Sequence, residues 1–270
     1  MRRRWVLGAV VAAALAGAAC TGSAADAYSK GIQRWNDGQL LEAVDTLRVI
    51  TRTYPESDYA PKALLKVAEI QAYDLRRYDD AEENYRLFLK LYPQSSQAVA
   101  ALEDLTALLY EKKADYLGAI NECQRYIDSF PNAPKVPLMH QRIVNSYLQL
   151  RNYEQARVEA GIFLRKFPND PRADEVAYEI VRSYFLESKP DKAADEAKRA
   201  LVARPASTYA ARTRFLLAAA LEDSDRLAEA LEAYKAARPG HPDPEIVDKK
   251  IAAVADRIAR KHSSSDTQRH

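Results

Sequence analysis

The chain has few residues of the kinds that most catalytic and metal sites need. Its 270 residues include two cysteines, four histidines and eight glycines. So few glycines, together with abundant alanine, leucine, arginine, glutamate and lysine, favour helix over sheet. The histidines show no metal-ligand spacing with each other or with Cys123, which lies in an apolar stripe and is expected to act as a small hydrophobic residue. The other cysteine, Cys20, follows an N-terminal apolar segment, so we expect no disulfide.

Motifs for nucleotide chemistry and covalent catalysis are also absent from the sequence. It has no glycine-rich phosphate loop and no nucleophile elbow. Acidic pairs such as Asp79-Asp80 lie on the polar side of helical patterns, where a solvated surface explains them better than acid-base catalysis does. The formal net charge is +2, and subtracting the charges of Arg2, Arg3 and Arg4 leaves −1, which does not indicate nucleic-acid binding. We therefore expect no enzymatic activity, cofactor, metal, small-molecule substrate or nucleic acid.

Residues 1–19 have the organisation of an export signal. Three arginines precede an apolar stretch, Trp5 to Ala19, that is too short to span a bilayer comfortably. The sequence Leu15-Ala-Gly-Ala-Ala-Cys20 resembles the lipobox of bacterial lipoproteins, which implies that Cys20 is lipidated and that residues 20–26 form a tether. Ordinary cleavage after Ala18 would instead leave a free periplasmic protein. An unpaired cysteine is uncommon just after an export signal, which favours lipidation.

An alanine and a proline recur together along the rest of the chain, with the proline always twelve residues after the alanine. The alanines are Ala43, Ala81, Ala119, Ala156, Ala193 and Ala230, and the prolines are Pro55, Pro93, Pro131, Pro168, Pro205 and Pro242. Both series advance by 38, 38, 37, 37 and 37 residues. This spacing indicates an array of six repeats over residues 27–243.

Each repeat contains two helical patterns. In the third repeat, apolar residues from Tyr116 to Phe130 recur at the helical period. Asp115 and Asn152 are placed to cap second helices, and Asp170-Pro171 and Asp243-Pro244 predict helices that begin at the proline. Each repeat proline is expected to stop the second helix, because proline cannot continue the hydrogen-bond ladder.

The pattern resembles the tetratricopeptide repeat (TPR), a helix-turn-helix unit of about 34 residues. The residues that carry the resemblance are Gly31, Gly38, Ala43, Leu47, Ile50 and Pro55 in the first repeat and Tyr147, Tyr153, Ala156, Phe163 and Pro168 in the fourth. It implies an all-α, right-handed α-solenoid of about six units plus a C-terminal capping helix. Since the spacing from alanine to proline is constant, the residues beyond 34 are expected to follow the proline.

Residues 244–262 form one further helical pattern. Val247, Ile251, Val254 and Ile258 lie on one face, and lysines and arginines occupy much of the rest. Such arrays need a cap, whereas a basic helix could also lie on a membrane surface. Asp248 and Asp256 interrupt the basic face, which favours the cap. Residues 263–270 are expected to be disordered.

The linker after the first proline, Tyr54 to Ala60, is similar to that of TPR proteins of the bacterial envelope. With the lipobox-like leader it resembles the outer-membrane assembly lipoproteins of the BamD type, and without it the periplasmic Tol-Pal partners of the YbgF/CpoB type. The first resemblance implies a scaffold, lipid-anchored on the periplasmic face of the outer membrane, that binds protein partners in outer-membrane-protein or envelope-complex assembly. The alternatives are a soluble periplasmic coordinator and an accessory of a secretion or pilus machine.

The repeat frame predicts which residues line a groove formed by the first helix of each repeat. They are Tyr28, Trp35, Lys66, Tyr73, Gln141, Asn145, Tyr178, Arg182 and Phe185. Aromatic and arginine side chains often anchor a partner segment, although residues of this kind also pack between repeats. Tyr178, Arg182 and Phe185 fall at i, i+4 and i+7, so they share one helical face.

Overall fold

A computed structural model describes residues 24–267 of the chain, and its side chains up to residue 261. Within that range the chain is helical and contains no strand. The helices are α1 (24–36), α2 (Leu40–Thr53), α3 (Tyr59–Glu69), α4 (Tyr78–Leu91), α5 (Ala98–Ala107), α6 (Tyr116–Ser129), α7 (Val136–Gln149), α8 (Tyr153–Lys166), α9 (Ala173–Leu186), α10 (Pro190–Ala203), α11 (Ala210–Asp223), α12 (Leu227–Ala237) and α13 (Pro244–Thr267).

The helices form six successive pairs, α1–α2 to α11–α12, followed by α13. A three-residue turn joins the two helices of each pair, counting the π-helical turns Ile70–Asp74 and Leu108–Lys112 as the ends of α3 and α5. Five or six residues separate each of the six pairs from the next. The chain divides into two compact units: the first ends at Tyr126, inside α6, and the second begins at Ile127. The all-α fold of TPR-type helix pairs with a terminal cap is therefore confirmed.

The middle residue of each three-residue turn has a left-handed backbone. The six residues are Gly38 (φ 76°), Arg76 (55°), Ala114 (51°), Arg151 (56°), Ser188 (56°) and Asp225 (57°). Each lies five residues before the repeat alanine. In the fourth repeat, Arg151 N donates to Leu148 O at 3.0 Å and Asn152 N to Tyr147 O at 2.8 Å. These bonds satisfy the last carbonyls of the first helix, so the turn reverses the chain at small cost.

The repeat alanines lie where the structure leaves no space around them. All six are at most 1% exposed. A small side chain at this position allows the paired helices to approach closely. The predicted caps are also present: Gly118 N donates to Asp115 Oδ1 at 2.9 Å, and Gln155 N to Asn152 Oδ1 at 3.3 Å.

Two helix boundaries differ from the sequence prediction. α12 ends at Ala237, five residues before Pro242, because Pro239 and Gly240 (φ 80°) break the helix first. α9 begins at Ala173, not at Pro171, because the Asp170 carboxylate accepts a bond from Arg172 N at 2.9 Å and closes a turn there. α13 does begin at Pro244, capped by a 3.1 Å bond from Ile246 N to Asp243 Oδ1.

The two 38-residue steps have a structural cause within the first helices of the second and third repeats. α3 continues into a π-helical turn, Ile70–Asp74, and α5 into another, Leu108–Lys112. In these turns Arg77 N bonds to Gln71 O, six residues back, whereas Asn152 N in a 37-residue repeat bonds only five residues back. A π turn absorbs one inserted residue inside a helix. The additional residue of these two repeats therefore follows the repeat proline, as expected, but it lies inside the next first helix and not in the linker.

The C-terminal helix α13 packs on the sixth repeat. Val247 and Val254 are fully buried, and Ile251 and Ile258 pack against the same cluster. Its basic residues pair with carboxylates of that repeat: Lys250 and Arg257 contact Glu222 at 3.1 and 2.8 Å, and Arg238 of the repeat contacts Asp248 at 2.6 Å. Since its apolar face is buried and two of its basic residues meet carboxylates of the repeat, α13 caps the array as predicted.

The ends of the array differ slightly from the boundaries expected from sequence. Residues 24–26 already belong to α1, where the tether was expected to continue to residue 26. α13 extends to Thr267, five residues beyond the expected end of the cap. Between residues 24 and 267, no helix is long and apolar enough to cross a membrane.

Candidate functional site

In the second compact unit, Tyr178 on α9 lies beside Tyr209 at the start of α11. The rings of Tyr178 and Tyr209 are 5.3 Å apart at an interplanar angle of 39°. The Arg212 guanidinium lies 5.1 Å from the centre of the Tyr209 ring, within the range of a cation–π contact. Two rings and a cation therefore form a stack on consecutive first helices.

The guanidinium of Arg182 is held by Glu179 one turn earlier on α9. It donates to both carboxylate oxygens, at 3.1 and 2.9 Å, while the Arg182 side chain remains 40% exposed. Glu179 is only 8% exposed, and burial raises its pKa although Arg182 lowers it. Keeping this carboxylate charged at neutral pH therefore costs stability. In return, its two hydrogen bonds fix the direction of an exposed arginine.

The other predicted residues of this unit have different environments. Phe185 packs against the buried residues Val181, Ala197 and Leu216, so its main contacts are structural. Gln141 Nε2 donates to Glu175 Oε2 at 2.8 Å, which links α7 to α9. Asn145 is half-buried on α7.

In the first compact unit, Trp35 and Lys66, two of the residues predicted to line the groove, contact each other. The Lys66 ammonium lies 4.6 Å from the centre of the Trp35 ring, and it also pairs with Glu69. Trp35 Nε1 donates to Asp74 Oδ2 at 2.7 Å. Aromatic and charged side chains of α1 and α3 therefore form one partly exposed cluster.

Tyr73 lies in the π turn after α3 and is 54% exposed. Its hydroxyl donates to Asp104 Oδ1 on α5 at 3.2 Å. Burial of the hydroxyl and the neighbouring Asp104 carboxylate raise the pKa of Tyr73 to about 12. The hydroxyl is therefore a hydrogen-bond donor throughout the physiological pH range.

The stack of Tyr178, Tyr209 and Arg212 has a counterpart in the first unit. Tyr28 and Tyr59 are 5.4 Å apart, and the Lys62 ammonium is 5.1 Å from the Tyr59 ring. Tyr28 and Tyr178 occupy the same repeat position, as do Tyr59 and Tyr209, and Lys62 and Arg212. The intervening repeats have no such triplet, because the position of Tyr59 and Tyr209 is held there by Gln97, Lys135 and Arg172.

Sequence reasoning identified Tyr28 and Tyr178 but missed their partners. The partners lie in the short sequences Tyr59-Ala-Pro-Lys62 and Tyr209-Ala-Ala-Arg212, immediately at the start of a first helix. Comparison of the residues that precede each first helix could have revealed them. Cys20, the predicted lipidation site, lies outside the residues that the structure describes.

Two protein-family models match separate parts of the chain. Residues 21–102 match the YfiO model, described as an outer membrane lipoprotein, and residues 142–208 match a tetratricopeptide-repeat model. Among curated proteins, none matches the chain significantly.

Several solved structures share the fold at low sequence identity. PilW, described as a widely conserved type IV pilus biogenesis factor, is 15% identical with a TM-score of 0.50, over 85% of this chain and 98% of PilW. YrrB, described as a TPR protein with an unusual peptide-binding site, is 14% identical with a TM-score of 0.51, over 74% of this chain and 94% of YrrB. MamA is 18% identical with a TM-score of 0.50, over 68% and 93% of the two chains.

The repeat geometry, the family matches and the structural likenesses agree on one assignment. The chain has the fold of tetratricopeptide-repeat proteins, with a match to that family over residues 142–208 and a match to an outer membrane lipoprotein family over residues 21–102.

Proposed function

We propose that the chain is a non-enzymatic adaptor that holds segments of protein partners on the first helices of its repeats. The observation that carries this proposal is the aromatic–aromatic–cation stack that occurs in both compact units. Tyrosine and arginine are enriched among the residues that dominate binding energy at protein interfaces. The stacks are preformed and partly exposed, so a partner segment would meet ordered side chains and lose little affinity to ordering them.

The geometry of the second unit gives this proposal its specificity. Arg182 is fixed by Glu179, and Arg212 lies over the Tyr209 ring that contacts Tyr178, so the unit presents one guanidinium group on each of two successive first helices. Guanidinium groups recognise carboxylates through paired hydrogen bonds. The partner segment therefore presents a carboxylate and an apolar or aromatic side chain.

Replacing Arg182 or Tyr178 by alanine is expected to weaken partner recovery about tenfold or more, the loss that corresponds to a hot spot of about 2 kcal/mol. Recovery is measured by affinity purification after crosslinking, and thermal unfolding is measured on the same variants. Arg199→Ala is the matched control, because Arg199 is a well-exposed arginine on the second helix α10. If recovery falls only in proportion to the unfolded fraction, these residues pack the fold and do not bind the partner.

We further propose that the adaptor is anchored by lipid at Cys20 to the periplasmic face of the outer membrane, where it serves outer-membrane-protein or envelope-complex assembly. The support is the lipobox-like sequence before Cys20, together with the outer membrane lipoprotein match that starts at residue 21. The lipoprotein modification carries several acyl chains, and more than one chain is needed for stable anchoring.

The anchor predicts that Cys20→Ala moves the chain from the membrane fraction to the soluble fraction. The wild-type chain should incorporate labelled palmitate, and Cys123→Ala, which removes the other cysteine, should leave labelling unchanged. A mature N-terminus at Ala19 with no lipid mass would contradict the anchor while leaving the adaptor proposal intact.

A further inference from the structure

A cleft of about 670 Å³ opens between the second helices of the first two repeats. Arg48, Thr51 and Arg52 of α2 form one wall, Asn84, Leu87 and Leu91 of α4 the other, and Leu64 of α3 lies among its lining residues. These residues are on the second helices, whereas the stacks described above belong to the first helices. The cleft is therefore a separate surface.

The equivalent positions one repeat later are occupied by an ion-pair cluster. The Glu122 carboxylate is 6% exposed and pairs with Arg86, and with Arg125 at 3.5 Å. Thirty-eight residues earlier, the positions of Arg86, Glu122 and Arg125 are held by Arg48, Asn84 and Leu87. The cleft between the first two repeats thus retains one arginine of the cluster, Arg48, but has no carboxylate at the position of Glu122.

Asn84 does not take over the function of Glu122. Its side-chain amide donates to Gln71 Oε1 and to Asp80 O, both at 2.8 Å. Neither Arg48 nor Arg52 pairs with a carboxylate among the residues that the structure describes. Glu56 also lines the cleft but pairs with neither arginine. Burial of Tyr92 raises the pKa of that residue, and the Glu56 carboxylate raises it further. The cleft therefore has one net positive charge.

Beside Asn84, the opposite wall of the cleft presents two leucines. Leu87 is 40% exposed and Leu91 is 54% exposed, one turn apart on α4. Exposed leucines beside a cleft with an uncompensated charge are typical of an interaction surface. An occupant must satisfy both walls, with a carboxylate for the arginines and an apolar side chain for the leucines.

We propose that this cleft binds a helical segment of a partner protein that carries a glutamate or aspartate one turn from an apolar residue. The partner's carboxylate takes the place that Glu122 occupies in the next repeat step and pairs with Arg48 and Arg52. The partner's apolar residue covers Leu87 and Leu91. The chain would then hold two partner segments at once, one on its first helices and one on its second helices.

The test places a photo-crosslinking residue, p-benzoylphenylalanine, at Leu91 of the full chain in cells, and the captured segment is mapped by mass spectrometry. The expected segment has an acidic residue within about four positions of the crosslinked residue, one helical turn. The double variant Arg48→Gln, Arg52→Gln should lower the crosslinking yield about tenfold or more, as expected for the loss of charge-assisted hydrogen bonds. Lys90→Gln is the matched control, because Lys90 occupies the position of Arg52 one repeat later and lies outside the cleft.

A second variant supplies the missing carboxylate from within the chain. Asn84→Glu should pair with Arg48 as Glu122 pairs with Arg86, and so should lower the yield without any loss of positive charge. Asn84→Gln, similar in size but neutral, should retain crosslinking, and thermal unfolding shows whether either variant is destabilised. Crosslinks to lipid alone, to a second copy of the chain or to no protein overturn the proposal. So does a yield that is the same in the double arginine variant and in Lys90→Gln.

Discussion

Replacing Tyr234 by alanine is expected to lower the free energy of unfolding of the second compact unit by about 3–5 kcal/mol, the usual cost of removing a buried aromatic ring. Tyr234 is fully buried and meets Phe215 edge to face at 5.3 Å. Its hydroxyl also donates to Glu222 Oε2 at 2.9 Å, and Glu222 is the carboxylate that pairs with Lys250 and Arg257 of α13. The substitution therefore opens a cavity and weakens the attachment of the cap. Urea denaturation measures the loss, and hydrogen exchange shows whether α11 to α13 open first.

Tyr234→Phe separates the ring from its hydroxyl, and its expected cost is about 1 kcal/mol, typical of one hydrogen bond. Burial would raise the pKa of Glu222, but the hydrogen bonds from Tyr234 and Lys250 lower it overall. A carboxyl group with a lowered pKa stabilises the fold above its unfolded pKa, and this contribution is lost as the pH falls through the folded value. The difference between wild type and Tyr234→Phe should therefore shrink under acid conditions. Equal losses for Tyr234→Phe and Tyr234→Ala would show that the ring does not support the core.

Ala156→Leu is expected to destabilise the fourth repeat by about 1–3 kcal/mol through overpacking. Ala156 is 1% exposed and lies in a cluster with Val144, Leu148 and Phe163, so the larger side chain has no space. Ala119→Leu in the first unit should behave in the same way, because Ala119 is fully buried at the same repeat position. Thermal unfolding checks both variants.

The control for the alanine substitutions is Ala203→Leu at the exposed end of α10. This change adds the same side chain where there is space, so its melting temperature should be close to that of the wild type. An unchanged melting temperature in Ala156→Leu would show that the repeat alanine does not lie at the helix contact.

The repeat frame could be predicted from sequence because two residue types determine it by sterics. A buried alanine allows close helix contact, and a proline cannot continue a helix, so their spacing is visible without a structure. The end of α12 was harder to predict, because Pro239 and Gly240 precede the repeat proline and stop the helix earlier. The predicted start of α9 at Pro171 was wrong for a similar local reason, because Asp170 caps a turn and the helix begins only at Ala173.

Only some residues of the candidate binding site could be predicted from the sequence. Tyr178 and Arg182 could be placed by helical spacing within one helix. Spacing within one helix could not place Tyr209 and Arg212, because their contact with Tyr178 depends on how α9 and α11 pack; only a comparison of the residues at the start of each first helix would have indicated them. That Arg48 has no carboxylate partner could be recognised only after the structure showed Glu122 paired with two arginines one repeat later.

The π turns in the second and third repeats have a consequence for protein engineering. In a plain α-helix an inserted residue rotates everything after it by about 100°, whereas the π turns absorb the additional residue before the left-handed Arg76 and Ala114. A consensus repeat averaged over all six units would mix two lengths and misalign the last turn of the first helix. An artificial array built from this chain should therefore use two consensus sequences, one of 38 residues with the π turn and one of 37 without it.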